Sequence, residues 1–207
     1  MVGIIDLGTG NLFSLFKVLK KCGIRYSIVS TPEELSRQSK LLLPGVGAFP
    51  AAMEQLKKTG LDVALGKAVK DGKTVVGICL GMQLLLESSE EFSLSTGLGL
   101  IKGSVKKLNP NPKLRRPNIG WNEVIFKCRE DYFKLSGFIN ERDFYFAHSY
   151  YCDLENEENI LGYYCFGSDK IPAVISDNKN LLGLQFHPEM SGEDGIRLLS
   201  HIIKRLN

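Results

Sequence analysis

Residues 74–88 read TVVGICLGMQLLLES: a β-branched apolar run breaks at Gly77, presents Cys79, meets Gly81 and passes into a helical pattern. A handover from strand to helix within a few residues strains the backbone and brings neighbouring chain close, and both demands call for glycine. Such a turn holds its middle side chain outward, and the start of a helix favours a thiolate there. Taken alone, the stretch has two readings. Cys79 is a reactive thiol, or Ile78-Cys79-Leu80 is buried filler between two tight turns, the commoner fate of a free cysteine. A partner base elsewhere in the chain would decide.

Outward from this turn, strands and helices alternate. VGIIDL at 2–7 ends in turn chemistry at Gly8-Thr9-Gly10-Asn11, and Leu12, Leu15, Phe16 and Leu19 then recur at the spacing of a core-facing helix, with Gly23 as its stop. RYSIVS reads as the next strand. Thr31-Pro32-Glu33-Glu34 opens a short helix with a cap residue, a proline at the first helical position and acids in the first turn. LLLPGVGAF is a buried strand running into a glycine turn, and residues 50–70 carry one helical stripe through Met53, Leu56, Leu61, Leu65 and Val69. From 97 to 175 the texture shifts to prolines and short β-prone pieces (VIF, FYFAHSYYC, ILGYYCF), and the chain closes with QFHPEMSG and a helix over 193–206. The fold class expected is α/β: a doubly wound, mostly parallel sheet with flanking helices and antiparallel additions.

At 207 residues, 43% hydrophobic and 24% charged, the chain is long enough to bury a full core, and one domain spanning 1–207 is expected. A net charge of +3 gives no sign of nucleic acid as a partner, and no apolar run nears the roughly 20 residues of a membrane span. The N-terminus reaches Asp6 without a basic start, unlike a secretory signal, so a cytoplasmic location is expected. Five cysteines, at 22, 79, 128, 152 and 165, form no C-x-x-C pair, which argues against a disulfide framework and a zinc site. Phe13 stands where a dinucleotide loop beginning at Gly8 would need its third glycine. Neither a metal nor a cofactor is expected.

Of the three histidines, His201 falls opposite the core stripe of the last helix and is expected in solvent, while His148 alternates with aromatics on a strand and reads as structural. His187 differs. It ends the last apolar strand, Pro188 follows, and Glu189 stands two residues on, so in extended chain the carboxylate shares its side and can fix the imidazole tautomer. Cys79, His187 and Glu189 make the set of a cysteine-based triad. Attack on a carbonyl also needs oxyanion donors, and the Gly45-Val46-Gly47 loop and the N–H of Leu80 beside the nucleophile are candidates.

With these pieces in order the chain resembles the class I, triad-type glutamine amidotransferases, and within them the glutaminase subunits of imidazole glycerol phosphate synthases. Six segments carry the likeness: IIDLGTGN, LPGVGAF, GICLGMQLL, PNIGWNEV, FYFAHSYY and QFHPEMSG. The resemblance implies Cys79 as nucleophile, His187 as base, Glu189 as its orienting acid, and Gly47 and Leu80 as the oxyanion hole. It further implies that Gly45, Gln83 and the backbone near Ser149 and Tyr150 hold a glutamine. Ammonia is then implied to pass to a cyclase partner of (β/α)8 barrel type, with Asn11, Trp121, Asn122 and Met190 facing that partner. The family pattern usually has Tyr at Leu7, His and Met at Asn118 and Ile119, and Lys at Met190, so the partner contacts are expected to be altered. A paralogue that supplies ammonia for amidation of a cell-surface sugar is the alternative.

Overall fold

The computed structural model describes residues 1–8, 12–109, 116–127, 133–138 and 142–205. Its first half alternates as expected: β1 (Val2–Ile5), α1 (Leu12–Lys21), β2 (Tyr26–Val29), α2 (Pro32–Ser36), β3 (Lys40–Gly45), α3 (Phe49–Thr59), α4 (Leu61–Lys70), β4 (Thr74–Cys79) and α5 (Leu80–Leu84). The second half holds β5 (Ser88–Ser89), β6 (Ser95–Thr96), β7 (Gly103–Lys107), β8 (Asn118–Phe126), β9 (Arg142–His148), β10 (Tyr150–Leu154), β11 (Ile160–Phe166), β12 (Asp169–Ser176), β13 (Leu181–Leu184) and α6 (Gly192–Arg205).

Among the described residues the main sheet runs β2-β1-β3-β4-β13-β12-β11-β8-β9. Its first five strands pair in parallel and the rest antiparallel, while β10, β7, β5 and β6 form a second, smaller sheet in that order. Alternate residues of one strand feed opposite faces: Leu42 and Val76 join α1 and α6, whereas Leu41, Leu43 and Val75 join α2, α3 and α4. The sequence-expected cap of α2 is a reciprocal box in which Thr31 Oγ1 accepts from Glu34 N and Glu34 Oε2 accepts from the N–H groups of Ser30 and Thr31. The single stripe over 50–70 is two helices, because Gly60 adopts φ 71° and ends α3 before α4 begins.

The β4–α5 turn shows why its glycines are there. A Cβ on Gly77 would lie 2.5 Å from the Gly81 carbonyl oxygen, and one on Gly81 would overlap the Leu43 carbonyl of β3. Both obstacles are backbone and cannot swing away. Gly66 offers the contrast, for it sits inside α4 with open space at its Cβ position. Gly66→Ala is expected to raise the melting temperature by about 1–4 °C, from the helix-propensity gain in a chain of this size. Gly81→Ala is expected to lower it by well over ~5 °C or to abolish soluble expression; thermal scans of the two variants check both signs.

Candidate active site

Three neighbouring parallel strands deliver the predicted groups to one edge of the sheet. In register, Gly45 of β3 lies opposite Cys79 of β4, and Leu184 of β13 lies opposite Ile78, so the three strands end together. Functional groups in open α/β sheets gather at such carboxyl ends. Cys79 itself holds φ 53° and ψ −109°, a conformation that side-chain-bearing residues avoid and that costs of order 1–3 kcal/mol. Pairing with Gly45 of β3, pairing of the preceding Ile78 with Leu184 of β13, and the glycine-enabled packing of α5 hold it there.

His187 follows β13 and is almost fully buried. Its Nδ1 lies 2.8 Å from Glu189 Oε1 and donates to it, which leaves Nε2 for the thiol side. Burial alone would lower the pKa of this imidazole and is the largest single influence. The hydrogen bond and charge of Cys79, followed by those of Glu189, outweigh it and push His187 up to about 10. The main chain of His187 is pinned as well: its N–H donates to Tyr145 O, and the buried Ser191 Oγ donates to its carbonyl at 2.6 Å while accepting from Tyr145 N.

A cleft of about 370 Å³ opens over Cys79, lined among others by Gly47, Leu80, Gln83, His148, Ser149 and Tyr150. Gly47 holds φ 105° and has open space where a Cβ would be, so its peptide has room to turn. Gln83 Nε2 donates to Tyr150 O at 2.9 Å and to Gln185 Oε1 at 3.3 Å, so both amide protons are committed and its oxygen is what remains to offer a ligand. The Gly45 Cα packs on Leu80, whose side chain a Cβ at 45 would meet at 3.2 Å; Gly45 thus fixes the loop and is absent from the cleft lining.

His148 is structural, as its sequence setting implies. Nδ1 donates to Tyr150 O at 2.8 Å and Nε2 accepts from the Tyr164 hydroxyl at 3.1 Å, and burial drops its pKa to about 4. It stays neutral beside a protonated His187. His201, expected in solvent, is half-buried instead and its Nε2 lies 3.1 Å from Phe133 O, because Phe133 packs over that side of α6.

On the outer face, period-2 alternation along β8 turns Ile119 and Trp121 outward, Trp121 remaining 56% exposed and edge-on to Tyr145. Met190 is exposed nearby, and Asn122 is half-buried with a long contact to Asn118. Asn11 lies outside the described residues. Leu7, expected near this face, is 4% exposed and packs in the core beside α2 and α3, because Asp6 and Gly8 rather than Leu7 carry the turn.

Several cleft groups escaped the sequence reading. Glu91 lines it while Oε2 accepts from Phe49 N at the start of α3, and Lys107 lines it with the opposite charge. Neither stands in a motif; both arrive through the small β5–β7 sheet. Gln185 did leave a signal, since Gln185, His187 and Glu189 recur at every second position, although the chain there bends and Pro188–Met190 forms a turn of 3-10 helix.

A family model for glutamine amidotransferase class-I matches residues 3–205. The chain is 40% identical over 208 residues to imidazole glycerol phosphate synthase subunit HisH of Bacillus subtilis (strain 168), covering 99% of this chain and 96% of that one. It is 42% identical over 203 residues to the subunit of the same name from Leptospira interrogans, covering 96% and 97%. Among solved structures, PurLQS from Thermotoga maritima superimposes with a TM-score of 0.78 at 21% identity, covering 100% of this chain and 98% of that one. The crystal structure of a glutamine amidotransferase gives 0.76 at 19%, covering 99% and 98%. Both share the fold.

The raised His187 value has a sign that can be checked. The stability it contributes is present below the ordinary histidine value of 6.5 and is lost as pH rises toward about 10. Cys79→Ala removes the foremost raising influence and leaves burial in place. The His187 midpoint, read from its Cε1 proton in an NMR titration, is therefore expected to drop by more than about one pH unit. An unmoved midpoint would mean that the thiol and imidazole do not interact.

Proposed function

Given that the chain belongs to the class-I glutamine amidotransferase family, we propose that residues 1–207 act as one glutaminase domain in which Cys79, His187 and Glu189 are the triad. The observation that carries this is that Cys79, at the floor of the cleft, interacts with His187, which is hydrogen-bonded to Glu189, from the ends of two strands that are neighbours in space and distant in sequence. In this reading the Cys79 thiolate adds to the glutamine carboxamide carbon. The oxyanion meets the N–H groups of Leu80 and, once its peptide turns, Gly47. His187 gives its proton to the nitrogen as the C–N bond breaks, ammonia leaves, and a thioester remains. A water molecule gives a proton to His187 while its oxygen attacks the thioester, and glutamate departs as the sulfur recovers its electron pair. Gln83 offers its carbonyl oxygen to a substrate N–H, and the Ser149–Tyr150 backbone borders the substrate. Lys107 and Glu91 supply charges opposite to the carboxylate and ammonium of an amino acid.

The relatives named as subunits of imidazole glycerol phosphate synthase support a place in histidine biosynthesis. There the ammonia passes to a cyclase subunit of (β/α)8 barrel type that makes imidazole glycerol phosphate and an aminoimidazole carboxamide ribotide. The exposed apolar face of Ile119, Trp121 and Met190 fits a protein partner. That same face favours a second reading, since apolar Ile119 and Met190 stand where the family pattern has Met and Lys: a paralogue serving cell-surface sugar amidation would need just such altered contacts.

Cys79→Ala is expected to cut glutamine hydrolysis at least ~10³-fold in a chain that still folds, and Glu189→Ala to cost less than His187→Ala. Addition of the histidine-pathway barrel and its nucleotide should accelerate glutamate release. Unchanged release would exclude the histidine pathway and leave the sugar-amidation reading. In calorimetric titrations Trp121→Ala should weaken the complex by roughly 10- to 30-fold, as loss of a central aromatic anchor does.

A further inference from the structure

Gln185 directly follows β13, two residues before His187, and its side chain is wholly buried. Its amide lies between two fixed neighbours: Oε1 is 3.3 Å from Gln83 Nε2, and Nε2 is 3.9 Å from Cys79 Sγ. Which end of a glutamine amide is oxygen follows from its partners. Here the chain of contacts begins at a group that cannot be reversed, the Tyr150 carbonyl. That carbonyl demands a donor, so Gln83 must present Nε2 to it. The second proton of the same nitrogen then demands an acceptor, so Gln185 must present Oε1 to Gln83. Only its N–H₂ end is left for the sulfur.

We propose that Gln185 is a further catalytic residue, a donor to the Cys79 sulfur whose orientation is set by a buried relay from the Tyr150 carbonyl through Gln83. The inference rests on the reading of Cys79 as nucleophile. A fixed dipole aimed at a sulfur in a dry site stabilises its anionic form without reorganisation. Sulfur carries that charge twice, before it attacks the carboxamide and again when the thioester C–S bond breaks and its electron pair returns to sulfur. His187 is protonated at both moments, but its proton goes to the carboxamide nitrogen between them and is regained only from the attacking water. Gln185 has no proton to lose and serves both alike.

The relay is tested by the pH profile of Cys79 alkylation with iodoacetamide, followed by peptide mass spectrometry on the full chain. The groups facing Cys79 are His187 with Glu189 behind it, Cys152 on β10, His148 on β9, and Lys107 and Glu91 at the cleft wall. All are unchanged in the variants compared. Gln185→Met keeps the length of the side chain and removes its donor. The labelling midpoint is expected to rise by roughly half a pH unit or more, while the plateau rate at high pH stays the same. Gln185→Glu, which can still accept from Gln83 but turns an anionic oxygen to the sulfur, should raise it further. Gln83→Met, which frees Gln185 to reverse, should raise it less, and the double change Gln83→Met with Gln185→Met should match Gln185→Met alone.

Folded variants whose profiles coincide with that of the parent overturn the proposal, as does a double variant whose shifts add. A change confined to the plateau means altered access and overturns it too. If the Gln185 variants do not fold, the Gln83→Met profile decides by the same criterion. Absence of Cys79 labelling in the parent, while exposed Cys165 reacts, removes the nucleophile reading and this one with it.

Discussion

The molecule turns on one close approach. The α-carbon of Gly81 rests against the Leu43 carbonyl of β3 with no room for a methyl group between them, and Gly77 in turn has no room for one against the Gly81 peptide. Because α5 begins that near the sheet, Cys79 is forced into a backbone conformation that a relaxed strand would never adopt. The same approach sets α5 beside the end of β3, and so beside the loop through Gly47. The proposed oxyanion donors and nucleophile share one neighbourhood through backbone contact, before any side chain is chosen.

Around this turn, burial acts on two histidines with opposite results. In both His148 and His187 the largest influence is loss of water, which disfavours the charged ring. His148 has only a carbonyl and a hydroxyl as partners, and burial wins. His187 has a thiol on one side and a carboxylate on the other, and the partners win. The two rings stand near enough to repel as cations, so the neutrality of one favours the protonation of the other.

Much of this could be read before any coordinates. Local chemistry carried it: the Thr31–Glu34 box, the glycine-flanked Cys79 and the i, i+2 pairing of His187 and Glu189 each need only a few neighbouring residues. What eluded the sequence depends on distant partners. The interruption at Gly60 is invisible to periodicity because apolar spacing continues through it. His201 falls outside the apolar stripe of its own helix and its cover comes from distant Phe133, and Leu7 stands near the partner face only by the family resemblance, while helices distant in sequence bury it. Glu91 and Lys107 reach the cleft through a small sheet whose pairings join strands with no sequence signal in common.

The position of β13 in the sheet has a temporal consequence. It lies in the interior, between β4 and β12, yet it is the last strand made. On the ribosome, β1 to β4 can pair as successive crossover units of modest sequence separation, and the Cys79 turn can form with them. Until residues 181–184 emerge, the far edge of β4 has no neighbour and the thiol has no imidazole. A nascent chain therefore carries Cys79, the proposed nucleophile, through most of translation without its imidazole, and the two meet in one step when the final strand is inserted beside β4.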